Sequence, residues 1–267
     1  MKKLLVLAIC PAILLCVSAP VYAQEGPPGA EKWDFTVIPY LWATDLDGDI
    51  TVKGVSSEVD MSFSDIWDNL DFAGQIHLEA TKGKWGLFLD PTYMKLSVDE
   101  DVSVEFADVD VEVDTRMWLV EFGGFCRLFE TTYSQNELPL WFDALAGGRY
   151  VNLKNEIDIE GSLGLVDIDV DDSQDWVDPI IGGRFYAYLG KKLLVWLRGD
   201  IGGFDVGDSS DFAWNVVAGA GYEITDSMTL MLAYRILDID YDDGSGNDRF
   251  EFDAQMQGPM IGLAIRF

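Results

Sequence analysis

Apolar and polar residues alternate one for one along most of this chain, with little helical periodicity anywhere. The stretch 252–267, FDAQMQGPMIGLAIRF, puts Phe267, Ile265, Leu263 and Ile261 on one face and Arg266, Ala264, Gly262 and Met260 on the other. A period of two is that of a β-strand. Ten such segments recur, at about 33–44, 71–81, 85–97, 113–128, 139–153, 176–189, 193–205, 211–222, 228–241 and 252–267. In the second, Phe72, Gly74, Ile76, Leu78 and Ala80 oppose Gln75, His77, Glu79 and Thr81. In the ninth, Leu230, Leu232, Tyr234 and Ile236 oppose Thr229, Met231, Ala233 and Arg235. The first, Trp33 to Trp42, is apolar on both faces.

Alternation alone does not say which face is inside, because a soluble sandwich buries its apolar face and a barrel in lipid turns it outward. Three features place hydrocarbon outside. Connections alternate between short (81–84, 190–192, 223–227, with 130–137 moderate) and long (45–70, 98–112, 154–175). Lys82, Lys84, Lys191 and Lys192 fall in short turns, while the long connections are dense in Asp and Glu. The polar strand faces carry Arg and carboxylates, where a solvated face would show more Lys and Thr. The expected fold is therefore a single antiparallel, up-and-down transmembrane β-barrel over 33–267, with ten strands favoured and eight or twelve allowed. A final strand ending on Phe267 resembles the closing strand of bacterial outer-membrane barrels, which pairs with the first strand and is read by the barrel-assembly machinery. Trp85, Tyr93, Trp118, Tyr150, Trp214 and Tyr222 lie near strand ends, where interfacial girdles belong. Glycine doublets such as those in AGGRY (146–150) and IGGRF (181–185) are expected to bend the wall and make room for bulky neighbours.

The beginning of the chain and its charge agree with export. Lys2 and Lys3, the apolar run 4–17 and the Val21-Tyr22-Ala23 cleavage site read as a signal peptide over 1–23, followed by a Gly/Pro-containing lead over 24–32. Cys10 and Cys16 lack the preceding small residue of a lipidation site, and cleavage leaves Cys126 as a lone thiol. The formal charge of −29 disfavours nucleic acid as a partner. An even strand count puts both termini on the periplasmic side of an outer membrane and the acidic loops outside, against lipid and lipopolysaccharide.

The segments DWVDPIIGGRFYAYL (175–189), LRGDIGGFDVG (197–207), AWNVVAGAGYEI (213–224) and LAYRILDIDYDDG (232–244) lead in order into GPMIGLAIRF. With PYLWATDLDGDITVKG (39–54) and FSDIWDNLDFAGQIHLEATKGKWGLFLDPTYMKLS (63–97), they resemble a poorly characterised family of proteobacterial outer-membrane β-barrel proteins. The resemblance covers nearly all of the mature chain. It implies the fold and no activity.

Candidate chemistry follows from the polar faces. Glu121, Arg149, Arg184, Arg198 and Arg235 fall near mid-strand, with Asp90, Asp143, Asp178 and Asp200 at other heights and Glu79 on the same polar faces. Isolated charges at such depth are costly, so cross-strand pairing into a lumenal network is expected. Such a network fills and stiffens a narrow lumen, or else lines a pore. A barrel of about eight strands is just filled by side chains, and aqueous channels come at about 16–18, so filling is favoured. His77, beside Glu79, has no nucleophilic serine placed near it, and a satisfied lumenal histidine is expected. Known outer-membrane proteases and lipid A hydrolases put such groups toward the outer rim. Asp45, Asp47 and Asp49 in DLDGD resemble part of a calcium loop without its closing Glu, so a tight Asp/Gly turn is expected. DIDYDDGSGND (238–248) reads as a second acidic turn. No cofactor is expected beyond weak divalent-cation binding by the acidic loops together. The functional expectation is a non-enzymatic structural or surface-interaction barrel. A narrow charge-lined channel is the alternative, with a hydrolase third.

Overall fold

The computed structural model describes residues 32–267 except 105–106, 135–136 and 162–166, and side chains outside 98–113 and 157–171. The expected signal peptide and nearly all of the lead therefore lie outside the described residues. The chain runs β1 (Asp34–Trp42), β2 (Asp45–Val52), β3 (Val55–Met61), a one-turn-and-a-half helix α1 (Phe63–Asp68), β4 (Leu70–Lys82), β5 (Trp85–Val104) and β6 (Ala107–Tyr133). It continues through β7 (Leu138–Gly161), β8 (Asp167–Tyr188), β9 (Leu193–Gly203), β10 (Phe212–Thr225), β11 (Met228–Asp243) and β12 (Phe250–Arg266). Every neighbouring pair is antiparallel, and β1 joins β12 to close a ring of ten strands, with β2 and β3 outside it.

Closure runs from Thr36↔Arg266 to Trp42↔Met260, and the Phe267 amide donates to the Phe35 carbonyl at 2.9 Å. β1 and β2 form one line along β12, interrupted at Ala43 and Thr44, because β2 takes over from Gln257↔Asp45 to Glu251↔Thr51. β3 then folds back on β2 alone. A capping box on Ser62 starts α1, whose Asp65 carboxylate accepts from the Ser62 amide.

One end of the ring has short turns and the other has long hairpins. β6 alone is 27 residues long, whereas a tilted crossing of hydrocarbon needs about 9–11. The surplus stands beyond the apolar band. The long connections 45–70, 98–112 and 154–175, expected as acidic loops whose own alternation extends the barrel as hairpins, contribute largely to the β2–β3, β5–β6 and β7–β8 hairpins. DLDGD is corrected from turn to strand: Asp45, Asp47 and Asp49 stand extended along β2, paired opposite Gln257, Gln255 and Asp253. Likewise DIDYDD is the end of β11, and only 244–249 turn.

The faces settle what period two left open, and they do so differently at the two ends. On β11, Leu230, Leu232 and Tyr234 point outward and are exposed, while Thr229 and Arg235 are buried inside. Two residues further on the polarity reverses. Leu237, Ile239 and Tyr241 are buried inside, and Asp238, Asp240 and Asp242 take the outer face. β12 reverses in the same way between Ile261, exposed outside, and Phe252, Ala254 and Met256, buried inside. A wall that is greasy outside and polar inside in one half, and the opposite in the other, passes from hydrocarbon into water.

Beyond the apolar band the ring becomes two apposed sheets, β5–β8 and β11–β12–β2–β3. Their inner faces share one apolar core: Met117, Leu119, Val151 and Trp176 from the first, and Leu237, Ile239, Phe250 and Phe252 from the second. Trp176 stacks on Tyr241 at 4.0 Å and 9°, and Gln174 donates to the Tyr241 hydroxyl at 2.8 Å across that seam. Inside the band, glycines make room for rings. A Cβ on Gly219 would lie 2.3 Å from the Trp196 indole, and one on Gly86 would lie 2.1 Å from the Phe125 ring.

Candidate functional site

The inward positions of the membrane half carry the charges anticipated from the alternation, and the ring of strands brings most of them together. Glu121 on β6 is the hub. Its Oε1 accepts from Arg149 Nε at 3.0 Å and Arg235 Nη2 at 2.6 Å, and Arg198 Nη2 lies 2.8 Å from its Oε2. Asp200 ties two of these arginines again, accepting from Arg149 Nη2 at 2.6 Å and Arg198 Nε at 3.0 Å. Asn215 completes the cluster, donating to Asp200 at 2.8 Å and accepting from Arg235 Nε at 2.9 Å.

A second cluster sits nearer the short-turn end. Arg184 donates to both oxygens of Glu79, at 2.6 and 3.3 Å, and its Nε to Asp143 at 3.2 Å. Arg127 donates to the other Asp143 oxygen at 3.1 Å. The third cluster is His77, whose Nδ1 lies 2.8 Å from Asp90 Oδ2 and whose Nε2 lies 3.6 Å from Glu79. Tyr40 donates to Asp90 Oδ1 at 2.6 Å. Across the three clusters, five arginines (127, 149, 184, 198, 235) meet five carboxylates (79, 90, 121, 143, 200), so the belt is close to neutral.

The hub of the belt is dry as well as paired. Glu121 is 1 % exposed, and Arg149 and Asn215 are at 0 %. Rings pack on its cations: Arg184 over Phe125 at 3.6 Å and Arg235 over Trp42 at 4.7 Å. On the long-hairpin side the belt meets the aromatic core. On the other side a cavity of about 120 Å³ lies between the belt and the short-turn end.

Several sequence expectations need adjusting. Asp200, placed at another height, belongs to the central cluster. Asp178 faces inward beside Arg149 in register but forms no ion pair among the described residues. Its carboxylate instead accepts from the Ser210 amide at 2.8 Å and the Ser210 hydroxyl at 3.0 Å, clamping the β9–β10 loop. That loop opens with Phe204 and Asp205 at φ of 74° and 52°, uncommon values for such residues. Asp45, a weak cation candidate, accepts from the Phe63 amide at 2.6 Å. Among the described residues no three His, Cys, Asp or Glu side chains are gathered as a ligand set. Phe267, the terminal aromatic, is half-exposed on the outer face. Asn215, Tyr40 and Ser210 were not singled out from the sequence. Asn215 was readable as the one strongly polar inward position of AWNVVAGAG, and Tyr40 was hidden in a strand apolar on both faces.

No protein-family model matches this chain. No curated protein matches it either. Among solved structures, the outer membrane protease OmpT from Escherichia coli is similar over 92 % of this chain and 99 % of that one, at 10 % identity and a TM-score of 0.51. This is the fold of bacterial outer-membrane β-barrels. The translocator domain of autotransporter NalP from Neisseria meningitidis matches over 100 % of this chain and 98 % of that one, at 12 % identity and a TM-score of 0.44. Ail, the attachment invasion locus protein of Yersinia pestis, matches over 89 % of this chain and 99 % of that one, at 12 % identity and a TM-score of 0.36. At 10 % identity the likeness to OmpT carries the barrel and nothing of its use.

Proposed function

We propose that this chain is a closed outer-membrane barrel that anchors and presents its long acidic hairpins, with a structural or surface-interaction role and no catalysis. The membership suggested by the sequence, in a poorly characterised proteobacterial barrel family, belongs to the same reading. The observation that carries it is the filled middle. A conducting lumen keeps its lining charges in water, whereas in this barrel the hub carboxylate and its arginine partners are withdrawn from solvent and bonded to one another. That burial and mutual pairing weigh against the charge-lined channel.

Catalysis has less support still. OmpT is a protease, but at 10 % identity that activity does not transfer. His77 sits inside the barrel with Asp90 and Glu79 against its two ring nitrogens, and among the described residues its hydrogen bond goes to Asp90 and not to a serine. The short turns and both termini then face the periplasm, with lipopolysaccharide around the outer rim and barrel-assembly machinery reading Phe267. Divalent cations bridging the outer acidic faces to lipid phosphates fit this arrangement.

Site-directed labelling tests the topology. In a Cys126→Ala background, Ser57→Cys on the outer hairpin should react with a membrane-impermeant maleimide on intact cells. Gly190→Cys in a short turn should react only after permeabilisation. The opposite pattern would invert the barrel. Peptide or lipid hydrolysis abolished by His77→Ala would replace the non-enzymatic reading with the hydrolase.

A further inference from the structure

The cavity between the belt and the short-turn end belongs to neither the closure nor the surface role. Its walls are mainly apolar, built from Phe88, Leu145, Trp196, Met231, Ala233 and Met260, and its polar lining includes Arg184, Arg198, Arg235, Tyr186 and Asp90. The acceptors there are already used. Asp90 takes Tyr40 on one oxygen and faces His77 with the other. The donors are not. Arg198 donates its Nε to Asp200 and holds Nη2 as an ion pair 2.8 Å from Glu121, while Arg235 spends Nε and Nη2 on Asn215 and Glu121. Among the described residues, Nη1 of each, the Tyr186 hydroxyl and the Trp196 Nε1 donate to no side-chain acceptor, and none of them is sealed from solvent, so all are open to a molecule in the cavity. Donors open to the cavity are free to meet an incoming acceptor, and one with negative charge answers them best.

We propose that this cavity is a binding site for a small monocarboxylate with a short apolar body, entering from the short-turn end. The carboxylate meets Arg198, Arg235 and Tyr186, and the tail lies along Trp196, Met231 and Met260. A cavity of ~150 Å³ accommodates one benzene ring, so about 120 Å³ suits a body of that order or slightly smaller. The aromatic core bars the other end. Ala233 lines the cavity, so a phenyl ring placed there takes up its space.

The test is calorimetric titration of the refolded full chain with hexanoate, and with hexan-1-ol as the neutral partner of equal length. Saturable hexanoate binding is expected, weakened by about tenfold or more in Ala233→Phe and by a smaller factor in Tyr186→Phe. Met231→Trp serves as the filling variant should Ala233→Phe not fold. Hexan-1-ol should bind at least about tenfold more weakly than hexanoate. Absence of saturable hexanoate binding overturns the proposal, as does binding undiminished in a folded filled variant, which would mark partition into detergent. Equal affinity for the alcohol overturns the assignment of an anionic head.

Discussion

Glu121 holds three guanidinium groups on one carboxylate, with almost no water in reach. Removing one partner of a buried ion cluster leaves the others uncompensated, at about 3–5 kcal/mol. Glu121→Ala should therefore cost an amount of that order in reversible urea unfolding from lipid vesicles. Glu130→Gln, at the solvent-exposed end of the Arg127 pair, should cost less than about 1 kcal/mol. If the two variants are equally stable, the belt does not hold the barrel together. At this scale the sequence was informative about which residues face inward, since parity along a strand fixes that. It was silent on heights, because the stagger of tilted strands decides which inward residues meet. That is why Asp200 turned out to belong with Glu121, and Asp178 with the β9–β10 loop.

The elements carry the second lesson. β11 keeps strict alternation from Met228 to Asp243, yet its greasy side changes from outer to inner between Ile236 and Leu237. A charge placed on the hydrocarbon side costs about 2–4 kcal/mol at the midplane. Leu232→Arg should lower folding yield into vesicles accordingly, while Asp242→Arg, on the same face beyond the switch, should be tolerated. Similar yields for both would mean that the band is misplaced. Above the switch, burial and then the neighbouring carboxylates raise the pKa of Asp240 and Asp253. A raised folded pKa means the native state binds protons that the unfolded chain has already lost. The resulting penalty is complete above the folded pKa and disappears as pH falls below the ordinary carboxylate value. The double variant Asp240→Asn/Asp253→Asn should thus be more stable than the parent at pH 7, with the difference vanishing toward about pH 4. A constant difference across that range would rule out burial and carboxylate crowding as its cause. The strand ends at the short turns were legible because turns and alternation are local. The reversal was not, because Asp238 and Asp240 continue the outward parity of Leu232 and Tyr234, and period two carries no information about what lies outside.

For the whole molecule, the two halves close the interior by different means. In the membrane half, opposite charges bind one another across the ring, and beyond it two sheets pack an aromatic core. Trp176 touches Tyr241, Phe250 and Phe252 there. Trp176→Ala should cost about 3–5 kcal/mol without opening the belt, so stability and closure are separable. Ten strands were countable from the sequence, and filling was favoured by strand number alone. The apolar core above the belt was not foreseen, since Ile239 and Tyr241 fall within DIDYDDGSGND, whose density of Asp reads as a turn. Closure is tested most directly by single-channel recording of the refolded full chain in planar bilayers. A filled belt predicts a silent membrane for the parent protein and for Trp176→Ala. Reproducible unitary openings in the parent, altered by Arg198→Ala or Arg235→Ala, would contradict it.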